Sequence, residues 1–204
     1  MSKIFSLFLC FFCFSISNAQ NLDIDILKDI NINRNTNLDP FMKGVSSSVV
    51  PISVGAPIVM YAVGLIEKDS VTKQKAIFLG ETLGASVFIS LALKSIVKRD
   101  RPYETYPEID NVTEESSYSF PSAHTSSAFA TATSLSMEYP KWYVIAPSFL
   151  WAGTVGYSRM HLGVHYPSDV LAGAIVGSGS AYLCYKLNQW INKKKIRKVP
   201  VLWE

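Results

Sequence analysis

Five apolar segments, at about 49–66, 77–97, 121–138, 143–158 and 169–190, point this 204-residue chain toward an all-α bundle of one domain. Asp, Glu, Lys and Arg make up 17% of the sequence, below the roughly 25% of an ordinary soluble domain. That deficit favours a membrane, although the mean hydropathy of +0.19 is modest. A spanning helix takes about 20 apolar residues. Ile77 to Val97 meets that length and several other segments fall short of it, so a soluble helical bundle is the alternative. The stretch from Ser122 to Met137 is rich in Ala, Ser and Thr, a composition that suits a helix packed among neighbours better than one facing lipid.

The flanks orient the chain. Residues 1–19 read as a secretory signal: Lys3 is the positive start, Ile4 to Ile16 the apolar core, and Ala19 the small residue before Gln20. Either a cleaved signal or an uncleaved anchor leaves residue 20 outside. Residues 20–48 are polar, with Ile24, Leu27 and Ile30 at helical spacing. They suggest an amphipathic helix near the membrane surface and a linker ending at Ser46, Ser47 and Ser48. The helical domain then runs over 49–190 and a basic tail over 191–204. Successive crossings place Lys68, Lys73, Lys75, Lys141 and the cluster Lys193, Lys194, Lys195, Arg197 and Lys198 inside, as the positive-inside rule asks. Lys98, Arg99, Arg101 and Arg159 break that rule on the outer side, and they call for a functional explanation. No aromatic or Gly-rich pattern supports a nucleic-acid reading of the basic cluster, so no nucleic-acid partner is expected. Cys10, Cys13 and Cys184 build neither a disulfide framework nor a metal site.

Three short motifs fall on the outer side. In the first, Lys94 and Arg101-Pro102 are separated by six residues. A helix ending near Lys98 lets both cations converge, though juxtamembrane cations also simply snorkel to headgroups. The second is Ser119-Phe120-Pro121-Ser122-Ala123-His124. Pro121 suits a first helical position, which would turn the free N–H groups of Ser122 and Ala123 toward an anion, with a hydroxyl and an imidazole beside them. The third runs from Ser158-Arg159 through His161 to His165-Tyr166-Pro167-Ser168-Asp169. Pro167 marks a helix start, so Asp169 in the first turn can hold one nitrogen of His165 and free the other for attack. The competing reading of each histidine is a polar cap residue. His161 lacks a partner pattern and reads as structural.

Taken in order, these motifs resemble the type 2 phosphatidic acid phosphatase superfamily, which includes lipid phosphatases, bacterial acid phosphatases and vanadium haloperoxidases. The resemblance spans about 90–180 and departs once, at Ala123 in place of the usual glycine. It implies a membrane-embedded helical bundle of the acid phosphatase/vanadium haloperoxidase type. Lys94, Arg101, Arg159, Ser122 and the N–H of Ala123 would bind phosphate, His165 would attack phosphorus, Asp169 would orient His165, and His124 would protonate the leaving oxygen. No metal or cofactor is expected. The implied substrate is a lipid phosphate or isoprenoid diphosphate, and the implied place is a bacterial inner membrane crossed several times, with the site facing the periplasm. A soluble exported acid phosphatase, a haloperoxidase and a non-catalytic lipid-phosphate binder are the rival readings. Between the first two motifs, Glu104, Glu108, Asp110, Glu114 and Glu115 lie on a stretch without Lys or Arg. It reads as a solvated loop, or alternatively as a screen for anionic substrates at the entrance.

Overall fold

The computed structural model describes residues 22–198, with side chains through Ile191. The signal reading of 1–19 and most side chains of the basic tail lie outside the described residues. Among those described, helix is the only regular structure: α1 (residues 22–32), a 3-10 turn (Thr36–Leu38), α2 (Asp39–Ser47), α3 (Val49–Ile66), α4 (Ser70–Val97), a short α5 (Pro102–Thr105), α6 (Ala123–Glu138), α7 (Trp142–His161) and α8 (Pro167–Lys198). The five apolar segments correspond to α3, α4, α6, α7 and α8.

Local chemistry explains the boundaries. Asp69 caps α4 by accepting from the Val71 N–H at 2.8 Å, as short polar side chains do at helix starts. The same helix stops when Lys98 turns left-handed at φ 50° and returns its N–H to Lys94. After α7, Gly163 takes φ +73°, and a Cβ there would lie 2.3 Å from the Asp110 carbonyl. Only glycine fits that turn.

α6 occupies the middle, packed against α4, α7 and α8. Its inward surface is made of small and polar residues, with Ala128, Ala130, Ala132, Ser126, Thr131 and Ser134 all buried. Ser86 on α4 shares a 2.5 Å hydrogen bond with Ser126 on α6, and Thr133 donates to Ser178 on α8 at 3.1 Å. The large apolar side chains point outward instead: Val50, Ile58, Phe88, Leu150, Leu171 and Leu183 are all exposed. A polar interior inside an apolar exterior is the arrangement a lipid surround favours. Three stretches, Thr36–Ile66, Ser70–Thr105 and Pro167–Ile191, are long and apolar enough to cross a membrane. α6, at 16 residues, is only about 24 Å long, but its neighbours enclose it.

α8 meets α6 closely at two glycines four residues apart. A Cβ on Gly173 would lie 2.6 Å from the Ser122 carbonyl, and one on Gly177 2.2 Å from the Ser126 carbonyl and 2.8 Å from the Ala130 nitrogen. Both contacts are with backbone, which cannot step aside without moving a helix. Gly177→Val is therefore expected to destabilise the fold by about 1–3 kcal/mol or more through overpacking. Gly179→Ala, with nothing within 4 Å of its added carbon, is expected to keep or slightly raise the melting temperature in detergent, because alanine suits a helix interior better than glycine.

The amino-terminal segment holds the amphipathic helix that the sequence suggests, α1, which buries Ile24 and Leu27 against Ile109 and Tyr166. The stretch read as a linker is helical, because Met42 of α2 packs on Leu162 and Val164, and Ser48, leading directly into α3, accepts from Trp151 at 3.0 Å. Burial of an apolar stripe decides both outcomes. These elements cover the end of the bundle where α4, α6, α7 and α8 present the three motifs.

Candidate active site

Lys94, Arg101, Ser122, Arg159, His165 and Asp169 are all buried at this end, and Ala123 and His124 are partly exposed at the start of α6. α4 ends after Val97, and Lys94 in its last turn donates to the Tyr118 carbonyl. Arg101 is held on several sides. Its Nε donates to the Ser117 carbonyl at 2.7 Å and its Nη1 to the Val164 carbonyl at 2.8 Å, while Nη1 lies 3.5 Å from His165 Nε2. Arg159, in the last turn of α7, donates to Ser46 Oγ and to the Glu115 carboxylate. Its Nε is buried without a hydrogen-bond partner.

The histidine–carboxylate pair is more elaborate than its spacing suggests. His165 Nδ1 lies 3.5 Å from Asp169 Oδ2. Ser119 Oγ bridges them, donating to Asp169 Oδ2 at 2.5 Å and lying 3.3 Å from Nδ1. The Tyr166 N–H adds a 3.0 Å hydrogen bond to the same oxygen. Arg99 donates to Asp169 Oδ1 and Ser168 Oγ, both at 2.7 Å, and its second terminal nitrogen donates to Asp23 Oδ2 at 2.7 Å. Its guanidinium also stacks over the Tyr166 ring at 3.7 Å. Asp23 in turn accepts from the Ser168 N–H at 2.8 Å. The Asp169 carboxylate is thus held by three donors, Ser119, the Tyr166 N–H and Arg99, which locks the imidazole it faces and leaves Nε2 turned toward Arg101.

Ser122, rather than Pro121, borders α6: it is the cap, and its Oγ accepts from the Thr125 N–H at 3.4 Å and from Thr125 Oγ1 at 2.9 Å. The helix starts at Ala123. The Ser122 N–H is not free either, since it donates to the Asp169 carbonyl at 3.1 Å. The N–H of Ala123 and the Ser122 hydroxyl proton are the donors that this helix start offers an anion.

The acidic stretch is not simply solvated. Glu104 accepts from the Arg101 N–H at 2.7 Å, Glu108 pairs with Lys28 at 2.9 Å, Asp110 pairs with Arg34, and Glu115 pairs with Arg159. His161 sits apart from the cluster and pairs with Asp39 at 2.8 Å, joining α7 to α2. Four contributors escaped the sequence reading: Asp23, Arg99, Glu115 and Ser119. Arg99 was visible there only as an outer cation against the positive-inside bias, and Ser119 only as the first residue of a motif. Glu115 was visible only as one of five carboxylates on a loop read as solvated or as a screen for anionic substrates, and Asp23 carried no local signal.

Charge states follow from this packing. Burial, reinforced by the charges of Arg159 and Arg101 and opposed by the Asp169 hydrogen bond, pushes the His165 pKa down to about 3. Burial pushes the Glu115 carboxyl up, but the charge and hydrogen bond of Arg159, with the charge of Arg101, hold it below its ordinary value. His165 is therefore neutral and able to use its lone pair at any moderate pH. In the unfolded chain its pKa returns to about 6.5. The unfolded state then binds the extra proton, and this contribution to stability is complete above pH ~6.5 and falls away toward pH ~3. His165→Asn is expected to lose less melting temperature than the wild type between pH 7 and pH 4.5.

A family profile described as the PAP2 superfamily matches residues 75–193, a range that holds all three motifs. The lipid A 4'-phosphatase of Bacteroides thetaiotaomicron is 34% identical over 84 residues, 41% of this chain and 37% of that protein's length. The undecaprenyl-diphosphatase of Sulfolobus acidocaldarius is 28% identical over 194 residues, 90% of this chain and 88% of that one. Among solved structures, LpxE of Aquifex aeolicus superimposes with a TM-score of 0.70 at 27% identity, covering 81% of this chain and 95% of that chain.

Proposed function

From the premise that this chain belongs to the PAP2 superfamily, whose profile takes in 75–193 of its 204 residues, we propose that it hydrolyses a lipid phosphate or diphosphate through a phosphohistidine. One observation carries the reading. A neutral, buried His165 has Nδ1 backed by Ser119 and Asp169 and Nε2 facing a cluster of buried cations. Phosphoryl transfer asks chiefly for in-line positioning and for stabilisation of the equatorial oxygens. Lys94, Arg101 and Arg159, with the Ser122 hydroxyl and the Ala123 N–H, supply the second. His165 supplies the first.

In the first step Nε2 bonds to phosphorus as the bond to the leaving oxygen breaks, and His124 gives that oxygen its proton. In the second step His124 takes a proton from water, whose oxygen attacks phosphorus while the P–N bond breaks and inorganic phosphate leaves. The charge developing on His165 during attack is matched by Asp169, as in the serine-protease arrangement. Relatives named for lipid A and for undecaprenyl diphosphate support a lipid substrate. So does the apolar exterior, which also disfavours a soluble enzyme. By the charge asymmetry of the loops, the site faces the outer, periplasmic side of an inner membrane.

Purified protein in detergent is expected to release inorganic phosphate from one or more of phosphatidic acid, phosphatidylglycerol phosphate, an isoprenoid diphosphate and lipid A. Chelator is expected to leave the rate unchanged. Quenching during turnover is expected to trap acid-labile, base-stable phosphate on the protein. Turnover without a trappable phosphoprotein, even at saturating substrate and early times, would count against the intermediate. No release from any of these substrates would remove the proposed function.

A further inference from the structure

The first turn of α1 reaches the machinery of the proposed reaction from outside the three motifs. Asp23 is buried there, and both of its oxygens are engaged. Oδ1 accepts from the Ser168 N–H at 2.8 Å, one of the donors that the start of α8 leaves without a partner in its own helix. Oδ2 accepts from Ser168 Oγ at 2.5 Å and from Arg99 Nη2 at 2.7 Å. The other arm of the same guanidinium, Nη1, donates to Asp169 Oδ1 at 2.7 Å. Arg99 is thus a fork with one carboxylate on each prong. Its guanidinium rests on the Tyr166 ring, 3.7 Å away, and that ring shares an apolar cluster with Ile24 and Leu27 of α1. The amino-terminal helix therefore holds Arg99 both by charge and by packing, although Asp23 lies well before residue 75, where the family profile begins.

Resting on the phosphatase reading, we propose that Asp23 is a positioning residue for that reaction, which acts through Arg99 to keep Asp169 aligned and charged behind His165. Geometry is the first reason. A guanidinium tends to grip one carboxylate with two parallel hydrogen bonds. Without Asp23, Nη2 is free to turn onto Asp169 and draw that carboxylate off its line to His165 Nδ1. Charge is the second reason. Asp23 offsets Arg99, so Asp169 retains its own negative charge for the positive charge that develops on His165 during attack. Neither effect alters the groups that hold the phosphate cations: Lys94 is held by the Tyr118 carbonyl, Arg101 by the Ser117 and Val164 carbonyls, and Arg159 by Ser46 and Glu115. Loss of Asp23 should therefore lower kcat and spare KM.

Asp23→Asn keeps the shape of the side chain and an acceptor for the Ser168 N–H while removing the charge. On the lipid phosphate that the wild type hydrolyses fastest, it is expected to lower kcat about tenfold or more and to leave KM within about twofold. The deciding measurement repeats the substitution in an Asp169→Asn background. A residue that acts through Asp169 has nothing left to act on there, so no further loss of kcat is expected. A side chain that merely caps α8 would cost the same factor in both backgrounds. Arg99→Lys keeps the cation without the fork, is expected to show the same loss and the same silence beside Asp169→Asn, and serves if Asp23→Asn is poorly folded. Equal losses in both backgrounds, a loss confined to KM, or wild-type kcat in the folded variants would overturn the proposal while leaving the phosphatase reading intact. A wild type inactive on every lipid phosphate would instead fail the underlying reading.

Discussion

His165→Ala is expected to lower kcat by about 10⁴-fold or more while the protein remains folded and still binds phosphate or vanadate. Removal of a nucleophile that acts as one unit with its supporting groups generally costs this much, and the residual rate comes from the binding cradle alone. Lys94, Arg101 and Arg159 are not held by the imidazole: Arg101 is fixed by the Ser117 and Val164 carbonyls and Arg159 by Ser46 and Glu115. Their geometry should survive the loss. Phosphate release, phosphoprotein trapping and vanadate binding, measured on the same preparation, give three readouts that should separate, with the first two lost and the third retained. Wild-type activity in this variant would refute the mechanism.

Arg159→Met is expected to lose about 10³-fold in kcat/KM, the scale on which a preorganised charge acts on a transferring phosphoryl group. It should also lose stability. The guanidinium is nearly inaccessible, and the Glu115 side chain facing it is 22% exposed. Breaking a buried ion pair by removing one partner costs about 3–5 kcal/mol when the other charge is left uncompensated, and the cost here is expected to fall below that range because Glu115 keeps Arg101 at 3.7 Å. Arg159→Met with Glu115→Gln removes both charges and should recover most of that stability without recovering activity. The comparison separates the structural role of Arg159, shared with Glu115, from its role toward phosphate, which its unpartnered Nε is free to serve. A double-mutant cycle read by thermal melting and by turnover checks both halves. Parallel recovery of stability and activity would assign Arg159 to the scaffold alone.

The sequence by itself determined what depends on short range. Apolar runs marked α3, α4, α6, α7 and α8 because a helix reports its surroundings in its own composition, and the Ala, Ser and Thr of α6 foretold its enclosed position. The three motifs were legible for the same reason. Lys94 and Arg101 flank one helix end, Ser122 and His124 start another, and His165 and Asp169 bracket a third, so local geometry alone brings each pair together. Even so, the sequence put Pro121 inside α6, where Ser122 proves to be the cap with its N–H already donated to Asp169.

Tertiary structure decided the rest. Asp23 reaches Ser168 across 145 residues, and Glu115 reaches Arg159 across 44, separations over which no periodicity carries information. Residues 39–47 became helical because Met42 found Leu162 and Val164 to pack on, and α1 turned inward onto Ile109 and Tyr166 for the same reason. Spacing could nominate His165 and Asp169 as partners. The hydroxyl of Ser119 between them, and Arg99 behind them, came from a loop folding back over the helix ends, because buried polar groups must find donors and acceptors wherever the chain brings them.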